Sequence, residues 1–341
     1  MGQPRGTDEP DAAAHERRDH GMKNMDRRTF LAGSGSLALA LGLAACSDDA
    51  ASAPSDDSSD DASSMAAIDK DAYSALVSSA PTADDSAIEA SEWAKKVKGN
   101  GTLRVGGVKT STLFALMDET DNTVRGFDAG LYQMLARYIL GDETKVELTG
   151  VTSDTRESVL QNDQVDAVFA TYTITDKRKE VISFAGPYYT SQYSVLVLAD
   201  NSDITGVDSL AGKNVAAQSG STGPDIVAEF APEAVVQEFS TDEEARTALE
   251  QGRVDAYVYD DSMNKSSIVK NPGKYKVAGD PFGPTDPYGI ALPKDSDGVA
   301  FVNDYLKAVE DAGLWEKLWH ITIGDRTNAD TAPEPPAFDE A

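Results

Sequence analysis

The chain has 341 residues, 40% hydrophobic and 26% charged, with a formal net charge of -28. That length suits two domains, and the acidity excludes nucleic acid and anionic lipid as electrostatic partners, because like charges repel. A single cysteine, Cys46, excludes an internal disulfide and a cysteine-rich metal site.

The first 45 residues carry as many basic as acidic groups, so the whole negative excess lies beyond them. They contain Arg27-Arg28, a stretch of small residues, and an apolar run from Leu37 to Ala45. This is the charged-then-apolar order of an export signal, and the run is too short to span a bilayer permanently. "DRRTFL" resembles a twin-arginine export motif. "LAAC" resembles a bacterial lipobox, in which the cysteine thiol receives a diacylglycerol and becomes the new N-terminus. Residues 1–45 are therefore read as an export signal with an N-terminal extension, with the native start at Met22 or Met25, and Cys46 as a lipid anchor. A lone thiol buried in a short helix is the alternative. Residues 46–66 continue as a Ser/Asp/Ala tether with too little apolar surface to fold, extended by its own charge. Residues 67–100 read as a helical lead-in, and 326–341 as a disordered tail.

From Gly101 onward, strand and helix patterns alternate. "TLRVGGVK" reads as a buried strand, and "GFDAGLYQMLARYIL" as a helix with Asp128 near its cap and Leu131, Met134, Leu135, Tyr138 and Ile139 on one face. "KVELTGV", "VDAVFATYT", "SVLVLA", "KNVAAQ", "VVQEF" and "VDAYVYD" read as short strands between helices such as "EEARTALEQG" and "DYLKAVEDAGLWEKLWHI". The alternation predicts α/β lobes with largely parallel sheets. A leucine precedes "VDAVFATYT" and "VDAYVYDD" at the same spacing (Leu160 and Leu249), as two lobes of like construction would produce. Ligands of open α/β sheets sit beyond the C-terminal strand ends, so a cleft between two lobes follows.

The chemistry on offer is recognition. His15 and His20 fall in the segment expected to be removed, leaving His320 beside Trp319, read as a partly exposed structural residue. That disfavours a histidine triad and a multi-imidazole zinc site, and neither a cofactor nor a metal is expected. "SGSTG" lacks the Lys-Ser/Thr ending of a phosphate loop. Arg178 suits a carboxylate, with the hydroxyls of Thr171, Tyr172, Thr173 and Thr175 close by in sequence. Pro224 at a first helical position makes the amides of Ser221, Thr222 and Gly223 an anion site. Asp260, past a strand end, offers a partner to an amine. Together these suit a free α-amino acid. Singly, each has a plainer reading: Thr175 as an N-cap, Arg178 paired with Asp176 or Glu180, Asp260 in a turn, and "SGSTG" as an ordinary loop.

At these residues the chain resembles the extracellular solute-binding proteins of family 3, the amino-acid-binding components of ABC importers. The resemblance covers roughly Trp93 to Gly324 and rests on "GFDAGLYQMLARYI", "TYTITDKRKEVISFAGPYYTS", "GKNVAAQSGSTGPDI" and "GRVDAYVYDD". Gly130 stands where that family usually has an acid, and Thr171 where many relatives have Gly or Ser. The resemblance implies a type II periplasmic-binding-protein fold with a crossed hinge, lobe 1 near 101–191 plus 286–325 and lobe 2 near 192–285. It implies that Arg178, Thr173 and Thr222 hold the ligand carboxylate, that Asp260 and Thr171 hold the amine, and that Phe114 forms an apolar wall or plain core. "VTSDTRESVLQ" resembles the glutamate- and aspartate-binding branch, whose Ser and Arg, here Ser153 and Arg156, reach the ligand side chain; Arg156 on a helix face, paired with an acid, is the alternative. With Lys109, two extra cations favour glutamate or aspartate. The function implied is that of a monomeric, lipid-anchored receptor on the outer face of the membrane, serving an ABC permease and its ATPase subunits. A cyclohexadienyl-dehydratase-like enzyme and a ligand-sensing module are the competing readings.

Overall fold

The computed structural model describes residues 67–338; Cys46, the export signal and the tether lie outside the described residues. Among the described residues, eleven strands, numbered in chain order, form an eight-stranded sheet of order β5-β1-β6-β11-β7-β10-β8-β9 and a small sheet of β2 (Thr110–Ser111), β3 (Ala115–Asp118) and β4 (Thr123–Arg125). One half of the large sheet is parallel: β1 (Leu103–Gly107) lies between β5 (Val146–Gly150) and β6 (Ala167–Phe169). The other half repeats the arrangement, with β8 (Asn214–Gln218) between β9 (Val235–Phe239) and β10 (Ala256–Asp260). Helices follow the strands of each half, as parallel connections require.

Two long antiparallel strands join the halves: β7 (Ser183–Leu198) and β11 (Tyr275–Leu292). At one end β11 meets β6, through Ala291 and Val168; at the other β7 meets β10, from Tyr193 to Leu196. The sequence reading expected a strand only over Ser194–Ala199 and none over 275–292. Gly279, Pro281, Gly283, Pro284 and Pro287 interrupt any two-residue period in β11. The structure absorbs them as three register shifts between Ala278 and Ile290. Sheets expected to be largely parallel therefore carry an antiparallel centre. The lobe boundaries proposed from the sequence fall inside these strands, where Ser191 pairs with Asp286.

Burial follows the layers. Ala167 and Phe169 of β6 face the main core, while Val168 faces a second cluster with Val159, Leu160 and Tyr172. Val195 and Val197 of β7 and Val215 of β8 pack in a third, in the other half. The lead-in forms three helices, Lys70–Ser78, Asp85–Ala90 and Glu92–Asn100, and Tyr73, Val77, Trp93 and Val97 bury against the main core. The C-terminal stretch, expected to be disordered, has no regular secondary structure over 328–338. Its Ala329, Ala332 and Phe338 nevertheless pack on that core, because three apolar side chains suffice to dock a tail the acidic composition suggested would fray. No helix among the described residues is long and apolar enough to cross a membrane.

Candidate functional site

The hydroxyl-rich segment after β6 turns inward. Thr171 has a φ of +43°, a left-handed conformation uncommon for a non-glycine residue. Its amide donates to Asp128 Oδ2 at 3.0 Å, and the other oxygen of Asp128 accepts from Tyr188 Oη at 2.8 Å. Asp128, fully buried, thus pins the turn, and burial pushes its carboxyl up to about 7 against those two hydrogen bonds.

Beyond the turn, the Thr175 hydroxyl accepts from the Arg178 amide at 3.2 Å, capping the short helix Asp176–Lys179. The cap and the site are two uses of one segment. Arg178 is buried; its Nη1 donates to the Thr173 carbonyl at 2.7 Å and its Nη2 crosses to the Gly220 carbonyl at 3.2 Å. Its guanidinium carbon stands 4.8 Å from the Tyr172 ring centroid, and that of Arg156 lies 3.7 Å from the same centroid. Arg156 is buried as well, with its Nε unbonded and one contact of 3.4 Å to the Ala170 carbonyl. Burial, and the neighbouring Arg178, lower its affinity for its proton to a pKa of about 10.

From the other half, Asp260 ends β10 and opens the helix Asp261–Lys270 without capping it. Its Oδ2 accepts from Tyr288 Oη at 2.7 Å. Ser221 and Thr222 lead into the helix Gly223–Phe230: the Ser221 hydroxyl donates to the Gln218 carbonyl at 2.7 Å and accepts from the Gly223 amide at 3.0 Å, while the Thr222 hydroxyl accepts from Tyr193 Oη at 2.8 Å. The halves meet here. Ser219 Oγ donates to Asp154 Oδ2 at 2.7 Å, and Gly220 has a φ of +68° with so little clearance that a Cβ would lie 2.9 Å from the Ser153 carbonyl carbon. A second contact runs from the Leu113 amide to Ser266 Oγ at 3.0 Å.

Thr171, Thr173, Arg178, Asp260 and Arg156 are thus all buried, and Ser153, Ser221 and Thr222 lie at the junction around them. Lys109 does not join them. It is exposed and lines a separate groove of about 560 Å³ with Tyr73, Met117 and Gln133, because the chain turns outward into β2 (Thr110–Ser111) directly after it. Phe114 is fully enclosed by Phe127, Tyr189 and Tyr288, the core position that the sequence allowed as its alternative.

The structure adds Asp286, which sequence reasoning missed. It is 1% exposed, beside Thr173, Asp260 and Tyr193, and neither carboxylate oxygen has a hydrogen-bond partner. Burial raises its pKa, and that of Asp260 rises well above the ordinary range through burial first and Asp286 second. Its signal was an aspartate two residues before Tyr288 on one face of β11, legible only once β11 is recognised as a strand. Among the described residues, none of Arg156, Arg178, Asp260 and Asp286 forms an ion pair. Buried charges left unpaired each cost several kcal/mol, so such a set calls for a partner from outside the chain.

Two α/β halves joined by two crossing strands constitute the two-lobed type II periplasmic-binding fold. Residues 103–320 match the model of the bacterial extracellular solute-binding proteins, family 3, and the chain belongs to that family. It is 38% identical over 239 residues to the ABC transporter glutamine-binding protein GlnH of Bacillus subtilis, an alignment covering 68% of this chain and 86% of that one. It is 30% identical over 238 residues to the glutamate-binding protein GluB of Corynebacterium glutamicum, covering 66% and 80%. The crystal structure of the solute receptor for L-cysteine of Neisseria gonorrhoeae superposes with a TM-score of 0.66 at 25% identity, covering 71% of this chain and 97% of that one.

Proposed function

We propose that this protein is a lipid-anchored, extracytoplasmic receptor of an ABC importer that closes around a free polar α-amino acid, glutamine foremost, and presents it to the membrane permease. The observation that carries the reading is the meeting of Arg178 with Asp260 in one buried junction, neither of them ion-paired, where an α-carboxylate and an α-ammonium would complete both. Ligand bridging the lobes stabilises the closed arrangement by its differential affinity for it. Two considerations favour glutamine over the acidic ligands expected from the sequence. Lys109 lies outside the junction, which removes one of the two extra cations, and the relative with the higher identity of the two compared is named for glutamine. The lipid anchor at Cys46 and the monomeric state belong to the same proposal.

Thermal unfolding of the full chain against a panel of free amino acids tests it. Ligand at a thousandfold over its Kd adds about 4 kcal/mol, and at about 2–4 °C per kcal/mol the midpoint should rise clearly. No shift with any amino acid would overturn the reading. One feature favours a second: raised pKa values at Asp260 and Asp286 supply the proton a cyclohexadienyl-dehydratase-like general acid needs. Turnover of prephenate or arogenate would identify that enzyme, and its absence together with a thermal shift would leave the receptor.

A further inference from the structure

Arg178 and Asp260 account for one positive and one negative group in the junction, leaving Arg156 and Asp286. Asp286 sits on the hinge strand β11, opposite Ser191 of β7, so its position is fixed by the crossing that holds the lobes together. Its neighbours Thr173, Asp260, Tyr193 and Arg178 all belong to the end of the site where the α-carbon groups of an amino acid would lie. The receptor reading assigns Ser153 and Arg156 to the side-chain end, and the Arg156 guanidinium carbon lies 3.7 Å from the Tyr172 ring centroid. A carboxylate that is 1% exposed with two unbonded oxygens is a strong acceptor awaiting a donor. The Thr173 and Tyr193 hydroxyls lie near enough to moderate the rise in its pKa but close no hydrogen bond to either oxygen, and a primary ammonium brings three donors to a site where Asp260 Oδ2 already accepts from Tyr288.

We propose that Asp286 is a second ammonium-binding carboxylate, and that by balancing the two buried arginines with two buried aspartates it tunes the site to ligands of zero net charge. The inference rests on the reading of the protein as an amino-acid receptor. A zwitterion with an uncharged side chain leaves the closed junction neutral. Glutamate brings one surplus negative charge and arginine one surplus positive charge into a site sealed from water, where uncompensated charge is expensive. Arg156 then faces a side-chain amide oxygen as a hydrogen-bond donor rather than pairing with a carboxylate.

The test is a calorimetric titration of the full-length wild type and its D286N and D286S variants with L-glutamine, L-glutamate and L-arginine. Wild type should bind glutamine at least tenfold tighter than either charged ligand. In the variants the junction gains one positive charge, so glutamine affinity should fall at least tenfold while glutamate affinity falls less or rises, shrinking the glutamine-to-glutamate ratio at least tenfold. Glutaramic acid, which is glutamine without its amine, should show no such loss between wild type and variants. A ratio unchanged in whichever variant folds would overturn the inference, as would equal losses for amine-bearing and amine-free ligands, the pattern of a merely structural residue. A wild type that prefers a charged amino acid would also overturn it. Binding of no amino acid by the wild type would instead remove the receptor reading on which it rests.

Discussion

The two ends of the junction differ in how far the chain finishes them without a ligand. At the end proposed to take the ligand carboxylate, Arg178 is held by the Thr173 and Gly220 carbonyls and the Tyr172 ring, and its helix is capped by Thr175. At the end proposed to take the amine, Asp260 has one hydroxyl donor, from Tyr288, and neither oxygen of Asp286 closes a hydrogen bond. A cation at the first end is pre-oriented by carbonyl dipoles, whereas the anions at the second are desolvated and under-bonded, which is why their pKa values rise. The difference suggests a division of labour: one end fixes where a ligand docks, and the other gains most when it arrives.

The most damaging break should come at the finished end. Arg178→Ala removes both the anion partner and the bridge to Gly220, and truncating one member of a buried charge pair costs about 2–5 kcal/mol, so amino-acid affinity should drop by about thirtyfold to several thousandfold. Calorimetric titration would read this, and wild-type affinity in that variant would sink the central claim. Asp260→Asn keeps shape and the capacity to accept from Tyr288 but loses the charge, and a loss of roughly a hundredfold is expected, in line with a charged hydrogen bond worth about 1.5–3 kcal/mol. If Asp260→Asn proved the costlier of the two, the ranking of the ends would be reversed.

Gly220 probes the contact between the lobes without touching charge. Its positive φ and the proximity of Ser153 and the Asp154 carboxylate mean that an added methyl must push the lobes apart. Gly220→Ala should weaken binding by about tenfold through loss of the closed population, since apparent affinity falls with the competent fraction. Small-angle scattering should show a more open molecule, and an unchanged profile with unchanged affinity would mean that closure does not depend on this approach.

How much of this was legible in the sequence follows from how local each signal is. The strand Val235–Phe239 and the helix Phe127–Leu140 carry their own periodicity and turn up where the pattern puts them. Thr173, Arg178 and Asp260 announce themselves as polar residues at strand ends and meet in the junction. The hinge strand β11 does not, because its pairing with β7 is set by residues 77 (Tyr275–Leu198) to 109 (Leu292–Ser183) positions away and its prolines and glycines mask the alternation. Asp286 was lost with it. Lys109 was misplaced for the opposite reason: two residues after "VGG", it looked like a strand-end cation, but the direction of the next turn, which no periodicity encodes, carries it outward.

The smallest expected effect on binding concerns Asp128, the support beneath the finished end. An ordinary aspartate titrates at about 3.9, whereas burial pushes Asp128 up to about 7. Between those values the folded chain holds a proton that the unfolded chain has released, so this group's contribution to stability is fully present below about pH 4 and declines as pH rises toward 7. Above that, both states are ionised and the contribution is flat. Asn at this position can accept from the Thr171 amide through its oxygen and donate to Tyr188 through its nitrogen, yet it cannot ionise. In urea unfolding from pH 4.5 to pH 8, Asp128→Asn should therefore gain on wild type as pH rises, by up to about 1.4 kcal/mol per unit across the window, while its amino-acid affinity changes by no more than a few fold. A stability difference independent of pH would mean that Asp128 ionises freely in the folded state. The turn at Thr171 would then rest on a charged support, and the two ends of the junction would be alike in carrying buried negative charge.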